Sequence, residues 1–461
     1  MREALPVAAL LLVAVGVQVA MLWAGRIDWD SDTAVVAIMA RDIQRDGAHP
    51  VFYYGSAYAG TLEPHWVAAV FAVAGVSVAA YRAAIIVLLV CLLVVVYLTA
   101  RLGFGRAAAL AAVAYLALPP LFFLRQGLTS NGSYDAVSIL GGCVLLTALL
   151  WESALRQGRP GWGRLAALGL AAGLGWWVNP LILSFGLAVA AWFLLIRPRV
   201  FLRPAHYLVF GAAFLVGGLP WWVSNALHSW YSLHDPQTER AGVLVMLVQL
   251  KNFWLLAPPV LFGIRPAWQV SETFPGETLG SGVLYLVPAL MLGVHVWRHR
   301  RGLVAGQGAD DAEARAALLI LFMLVVAPVL ATVSKRTFFA SPRFLFPLYA
   351  VFPIAFGFAI CRLWRGPAWA RAEAVALVGI ALLSSAVSLT GSPPLPPRDG
   401  SDARNGSLSE LIAELDRHDL QAVYGSYWIA YRLDFEADGR IPATPFGEWH
   451  MTRMPRYHDA A

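Results

Sequence analysis

Asp28-Trp29-Asp30-Ser31-Asp32 follows directly on the first long apolar segment of the chain. Its three carboxylates lie where a membrane-spanning helix would deliver the chain into water. They precede a predicted amphipathic helix over 33–46, which leads into the aromatic run Phe52-Tyr53-Tyr54-Gly55-Ser56-Ala57-Tyr58. Packing alone explains an acidic cluster beside a bilayer poorly, because charges there are costly and usually functional. The segment therefore indicates chemistry at the membrane surface.

The composition is that of an all-α polytopic membrane protein. Of 461 residues, 59% are hydrophobic and 13% are charged, whereas a soluble domain carries about a quarter charged residues. The mean hydropathy is +0.63. A span needs about 20 predominantly apolar residues. We therefore predict about eleven transmembrane helices, the first of them an uncleaved anchor, near 5–24, 79–100, 107–124, 135–155, 165–178, 180–196, 206–224, 280–297, 316–334, 343–363 and 371–390.

The distribution of charge predicts the orientation of these spans. Arginines cluster in alternate connections, which the positive-inside rule assigns to the cytoplasm. This arrangement predicts a cytoplasmic N-terminus, with the loops 25–78 and 225–279 and the C-terminal tail on the outer side. The net charge of +6 then reflects topology and not nucleic-acid binding.

Three parts are predicted along the chain. Residues 1–390 form the transmembrane domain, whose loop 25–78 includes a half-immersed helix over 62–74. A Pro-rich linker follows at 391–406, and residues 407–461 form a small α/β domain. Within that domain we expect a helix over 408–418, a strand over 421–424 and a helix or strand over 427–435.

The acidic residues have two interpretations each. Asp30 or Ser31 could cap the amphipathic helix, since both are preferred N-cap residues; alternatively, one carboxylate of the triplet is a general base. Glu63 could simply stabilise the N-terminus of a helix through the helix dipole, or it could orient an acceptor or contact the hydroxyls of the donor sugar.

Cys91, Cys143 and Cys361 fall in predicted spans and show no disulfide or metal spacing. No cofactor is predicted; a divalent metal is compatible with the sequence but is not indicated by it.

Basic residues on the predicted outer side form the second candidate group. Each could merely snorkel at the end of a span. Together they would suit a phosphate or diphosphate leaving group, because fixed cations stabilise developing negative charge. Arg343 is the strongest single candidate, because it begins a predicted span. The others are Arg125, Arg240, Lys251, Arg265, Lys335 and Arg336.

The loop 125–135 ends in Tyr134-Asp135, which enters a span. It could be only a turn, but acids inside membranes tend to be functional. The sequence contains no Walker loop, dinucleotide-binding fingerprint, HExxH or Ser-nucleophile elbow, which argues against nucleotide hydrolysis and proteolysis.

Several motifs resemble the polyprenol-linked GT-C glycosyltransferases, the group that includes protein O-mannosyltransferases and the lipid A aminoarabinose transferase. Asp32-Thr33-Ala34 and Ala40-Arg41-Asp42-Ile43 are similar to the opening of that family. The other matching motifs are Tyr54-Gly55-x-x-Tyr58-x-Gly60-x-Leu62-Glu63, Gly173-Leu174-Gly175-Trp176-Trp177-x-Asn179-Pro180, Gly218-Leu219-Pro220-Trp221, Arg343-Phe344-Leu345-Phe346-Pro347 and Tyr427-Trp428-Ile429-Ala430-Tyr431-Arg432-Leu433.

The resemblance implies an enzyme of the bacterial cytoplasmic (inner) membrane that takes a sugar from a polyprenyl-phosphate donor at the outer face. Asp32 matches the family's catalytic aspartate, whereas Thr33 replaces the common Glu. The implied acceptor is a lipid, glycan or protein. We therefore predict an inverting glycosyltransferase in which Asp32 is the base and Glu63 and Asp30 orient the acceptor. The residues predicted to bind substrate or donor are Tyr54, Tyr58, Arg125, Tyr134, Lys251, Lys335 and Arg343.

Two other classes stay open. A transporter or flippase for a glycolipid predicts polar residues near the bilayer midplane and inverted repeats; the sequence shows few such residues and no clear repeat. A non-catalytic membrane subunit predicts that deleting the tail after Gly391 destroys function, whereas substitutions at Asp32 do not.

Overall fold

A computed structural model describes residues 4–129, 132–234, 241–265, 267, 275–305, 308–334, 337–391, 408–446 and 453–454. The α-helices in these residues are α1 (Ala4–Trp23), α2 (Ser31–Asp46), α3 (Leu62–Ala74), α4 (Val78–Ala117), α5 (Leu121–Thr129), α6 (Tyr134–Arg156), α7 (Trp162–Val178), α8 (Ile182–Ile196), α9 (Pro204–Gly217), α10 (Leu219–Leu227), α11 (Val243–Leu261), α12 (Pro275–Arg298), α13 (Gly302–Ala305), α14 (Ala309–Ala331), α15 (Phe352–Trp364), α16 (Ala368–Gly391), α17 (Ser409–Arg417) and α18 (Tyr427–Glu436). Short 3-10 helices cover Pro198–Leu202, Tyr231–His234 and Arg343–Ala350. Strands β1 (Val423–Gly425) and β2 (Ala443–Pro445) pair in parallel.

The protein is a multi-pass membrane protein. Seven helices in the described residues are long and apolar enough to cross a bilayer, or nine if two bent helix pairs each form one span. The predicted count of eleven is not reproduced. One reason is that α4 runs through most of two predicted spans, with a kink at Gly105, where φ is 81°. Another is that α7 and α8 have only 17 and 15 residues, fewer than a typical span.

The predicted outer loop 225–279 contains a helix, α11, that is long and apolar enough to cross a membrane. Lys251 lies on this helix with its side chain exposed. The helix was missed because Lys251 and Pro258-Pro259 interrupt its apolar run, although proline is tolerated in membrane helices more readily than in soluble ones.

The chain forms two compact units. The first comprises residues 1–17, 88–123 and 134–392, and the second comprises residues 18–87, 124–133 and 393–461. The second unit therefore contains both the loop 25–78, called the acidic loop below, and the C-terminal tail. The predicted linker 391–406 lies outside the described residues apart from residue 391.

Within the first unit, α7 and α9 pack through glycines. A Cβ atom on Gly173 would lie 2.1 Å from the carbonyl oxygen of Phe214, and one on Gly169 would lie 2.4 Å from that of Phe210. Small residues allow membrane helices to approach this closely, and the approach gains van der Waals contact.

Replacing Gly173 by alanine is expected to destabilise the protein by roughly 1–3 kcal/mol, because the added methyl overpacks this contact. Gly211→Ala is the matched control: it lies on α9, and its Cβ would meet nothing within 4 Å. Thermal unfolding in detergent measures the difference. Equal melting temperatures for the two variants would show that α7 and α9 are less closely packed.

Within the second unit, the residues that flank α2 in the sequence determine where this helix begins and ends. Asp30 caps its N-terminus, and Gly47 ends it in the left-handed conformation with φ 65°. The apolar side of α2 is buried, and nearby the ring of Trp29 lies 5.5 Å from that of Phe435 on α18. The helix α3 has the predicted bounds, 62–74.

The tail contains a helix and a strand close to the predicted positions. The segment 427–435, for which helix and strand were both left open, is helical, and the strand β2 was not predicted. The small apolar core of the tail consists of Leu408, Ala430, Leu433, Ala437, Ile441 and Ala443. Such a core contributes little stability by itself, so we expect the tail to depend on its contacts with the acidic loop.

Candidate functional site

Asp30 is the N-cap of α2. Its Oδ1 accepts hydrogen bonds from the backbone N of Thr33 at 2.9 Å and from the Thr33 hydroxyl at 2.8 Å. The capping interpretation therefore applies to Asp30. Asp32 is the second residue of the helix, and its carboxylate is left for other contacts.

The carboxyl group of Asp30 titrates unusually. Its pKa is raised from the ordinary 3.8 to about 6: burial raises it most, the charges of Asp32 and, less strongly, Asp28 add to this, and the hydrogen bonds from Thr33 act in the opposite direction. The folded protein binds this proton more tightly than the unfolded chain does. The contribution of Asp30 to folding stability is therefore complete below about pH 4 and is lost as the pH rises through about 6.

Asp30→Asn is expected to remove this pH dependence and to raise stability at pH 7.5 by roughly 3 kcal/mol at most. Asparagine caps helices about as well as aspartate, so the helix is retained. Thermal unfolding between pH 4 and 8 tests this, with Asp30→Ala as the variant that loses the cap at every pH. An Asn variant that keeps the wild-type pH dependence would contradict the assignment.

Two side chains of the tail approach Asp32, one as a hydrogen-bond donor and one as an ion-pair partner. The hydroxyl of Tyr427 donates a hydrogen bond to Oδ1 of Asp32, and Nη2 of Arg453 lies 3.8 Å from the same oxygen. The side chain of Asp32 is 23% exposed, so an external molecule can reach it. Neither of the two was predicted as a site residue, although Tyr427 opens the tail motif that carries the family resemblance.

The aromatic loop folds back on itself. Phe52 and Gly60 pair as an isolated antiparallel bridge, and the hydroxyl of Tyr54 donates to Oδ2 of Asp42 at 3.0 Å. Tyr58 is half-buried. Gly55 has a φ of 68°, and a Cβ there would lie 2.8 Å from Cδ of Arg453. The loop therefore leaves room for the arginine, and Tyr54 is engaged with the protein.

Glu63 is buried, with 1% of the residue exposed. Its Oε2 accepts a hydrogen bond from the hydroxyl of Tyr53 at 3.0 Å. Burial raises the pKa of Tyr53 well above its usual value, and the Glu63 charge adds to this effect. This burial favours a positioning role for Glu63 over the substrate contact predicted from the sequence.

Two arginines bind backbone carbonyls around the acidic segment. Nη2 of Arg82 donates to the carbonyl of Asp28 at 2.6 Å, and Nε of Arg125 donates to the carbonyl of Arg26 at 3.2 Å. The guanidinium of Arg82 also lies 5.4 Å from the centre of the Trp29 ring. Arg82 was not predicted, although a cation at the start of an apolar span is itself a signal.

The other predicted binding residues belong to the first unit or lie outside the described residues. The ring of Tyr134 is 6.3 Å from that of Phe344, and the guanidinium of Arg343 lies 5.4 Å from the same ring. Lys251 is on α11, and Lys335 is outside the described residues. In the described part of the chain no group of three or more His, Cys, Asp or Glu side chains has the arrangement of a metal site.

The chain is similar to known proteins in two ways: part of its sequence matches a protein family, and its fold matches solved structures. Residues 62–223 match the family described as dolichyl-phosphate-mannose-protein mannosyltransferase. None of the curated proteins matches the chain. ArnT from Cupriavidus metallidurans in the apo state superposes with a TM-score of 0.60 at 15% identity, over 99% of this chain and 87% of that chain.

The same ArnT bound to undecaprenyl phosphate gives a TM-score of 0.55 at 16% identity, over 97% of this chain and 86% of that chain. The oligosaccharyltransferase AglB from Archaeoglobus fulgidus, in complex with an inhibitory peptide and a dolichol-phosphate, gives 0.51 at 13% identity, over 95% of this chain and 64% of that chain. The fold is thus the one that ArnT has, the GT-C fold that the sequence motifs implied.

Proposed function

We propose that this protein transfers a sugar from a polyprenyl-phosphate donor to an acceptor hydroxyl, with inversion at the anomeric carbon. The observation that carries the proposal is the carboxylate of Asp32, partly exposed in the first turn of a helix that begins soon after the first span. The GT-C fold supports it, as do the lipid phosphates bound to ArnT and AglB.

The proposed chemistry needs one base and a stabilised leaving group. Asp32 accepts the proton of the acceptor hydroxyl, whose oxygen attacks the anomeric carbon. The bond from that carbon to the phosphate oxygen breaks, and polyprenyl phosphate departs with the electron pair. Fixed cations favour this departure; Arg343, Lys335 and Arg125 are the proposed residues on the phosphate side.

The donor requires no aqueous route across the bilayer. We propose that its isoprenoid chain lies between the spans and that its headgroup is held at the outer face of a bacterial cytoplasmic membrane, as the arginine distribution indicates. Lys251, Tyr58 and Tyr134 are further candidates for contact with the donor. Tyr54, whose hydroxyl donates to Asp42, can contact the donor as a hydrogen-bond acceptor.

The test is incubation of the purified protein with defined polyprenyl-phosphate sugars and candidate acceptors. Release of polyprenyl phosphate with formation of a glycosylated acceptor is expected. Movement of intact donor between the leaflets of a vesicle without release of polyprenyl phosphate would instead identify a flippase.

A further inference from the structure

The C-terminal tail contributes side chains to the acidic segment, about 400 residues away in sequence. We propose that Tyr427 and Arg453 are positioning residues, which orient the carboxylate of Asp32 through one of its two oxygens. The proposal rests on the proposed function, in which Asp32 is the base.

The first argument is geometric. The hydroxyl of Tyr427 donates to Oδ1 of Asp32, and Nη2 of Arg453 lies 3.8 Å from the same atom. A carboxylate held by one oxygen keeps a fixed orientation and still offers the lone pairs of the other oxygen. The acceptor proton would therefore go to Oδ2.

The second argument is that Arg453 is itself held in place. Its backbone N donates to the hydroxyl of Tyr431 at 2.6 Å, its Nε donates to the hydroxyl of Tyr427 at 3.4 Å, and its Nη1 donates to the carbonyl of Gly55 at 3.3 Å. These contacts come from α18 and from the aromatic loop. The guanidinium is thereby directed towards Asp32.

The third argument is that Tyr427 has a defined position. It is the first residue of α18, which lies alongside α2. Further along the same two helices, Nη2 of Arg41 donates to Oδ2 of Asp434 at 3.1 Å, with both side chains buried. Tyr427 and Asp434 thus fix two points of the tail helix against the helix that carries the base.

The fourth argument is electrostatic. The guanidinium of Arg453 places a positive charge 3.8 Å from Oδ1 of Asp32, and this attraction favours the position that the carboxylate takes. Burial raises the pKa of Tyr427 well above its usual value, and the Asp32 charge raises it further, so the phenol stays protonated and can donate.

The experiment uses Tyr427→Phe and Arg453→Met in the full-length enzyme. A hydrogen bond to a charged group contributes enough for its loss to lower kcat roughly 10- to 100-fold. We expect KM for the donor to stay within about twofold, because neither residue is proposed to contact the donor. Arg453→Lys should recover part of the loss, because it restores the charge but not the planar donor group.

Two tail residues away from Asp32 provide matched controls. Tyr424→Phe removes a hydroxyl from an exposed tyrosine on β1, and Arg440→Met removes a guanidinium that pairs with Asp416 on the surface. Both should leave kcat unchanged.

Wild-type kcat in Tyr427→Phe and Arg453→Met would overturn the proposal, as would higher activity, which would mean that the contact is inhibitory. An unaltered enzyme that releases no polyprenyl phosphate would instead refute the proposed function. The infrared carboxylate bands of Asp32, taken at one pH as the difference from Asp32→Asn, test the positioning role without turnover. Loss of the hydrogen bond to one oxygen should change the splitting of the two carboxylate stretches in Tyr427→Phe, and an unchanged splitting would refute positioning.

Discussion

Asp32→Asn is expected to lower kcat/KM for sugar transfer by roughly 10²- to 10⁴-fold, which is what a positioned general base contributes. The amide is nearly isosteric with the carboxylate, and its oxygen can still accept the hydrogen bond from Tyr427. It cannot take the acceptor proton. The measurement is release of polyprenyl phosphate, together with thermal unfolding to show that the fold is retained.

The matched control for Asp32→Asn is Asp46→Asn. It makes the same chemical change at the last residue of the same helix, where the side chain is exposed. We expect full activity from the control. Transfer by the Asp32→Asn variant at the wild-type rate would remove Asp32 from the mechanism.

Arg41→Met is expected to weaken the attachment of the tail to α2 by roughly 3–5 kcal/mol, the usual effect of removing one partner of a buried ion pair. The guanidinium of Arg41 lies 3.1 Å from Asp434 and 3.5 Å from Asp42, with side-chain exposures of 7%, 1% and 5%. Its loss leaves the carboxylate of Asp434 buried without its compensating charge. Limited proteolysis of the tail and thermal unfolding measure the effect.

A second ion pair between the same two regions provides the control. Nη1 of Arg45 lies 2.8 Å from Asp438, but the side chains are 41% and 58% exposed. Exposed pairs contribute about 0–1 kcal/mol, so Arg45→Met should leave the tail nearly as resistant to protease as in the wild type. If the Arg41 and Arg45 variants were equally stable, the buried pair would not be what holds the tail.

Local features of the second unit could be predicted because their causes are local. A capping aspartate and a terminal glycine define α2, and the helix 62–74 follows from a short apolar pattern with clear boundaries. The segment 427–435 is too short for its pattern to distinguish a helix from a strand. The role of Glu63 was harder to predict, because a carboxylate at a helix N-terminus has the same sequence signature whether it faces solvent or, as here, Tyr53.

The membrane helices were predicted in kind but not in number. Hydropathy detects an apolar run, but it does not determine whether two runs become one bent helix, as in α4, or whether a run broken by a lysine and two prolines still forms a helix, as in α11. Those outcomes depend on how neighbouring helices satisfy the backbone and accommodate polar groups.

The sequence by itself determined that this protein is a helical membrane protein with an acidic segment after its first span, because hydropathy, charge and helix capping act over a few residues. Only the tertiary structure decided which side chains surround Asp32. Tyr427 is 395 residues from Asp32, and Arg453 is further along still. Their contacts depend on the packing of α18 against α2, for which neither residue carries a local signal.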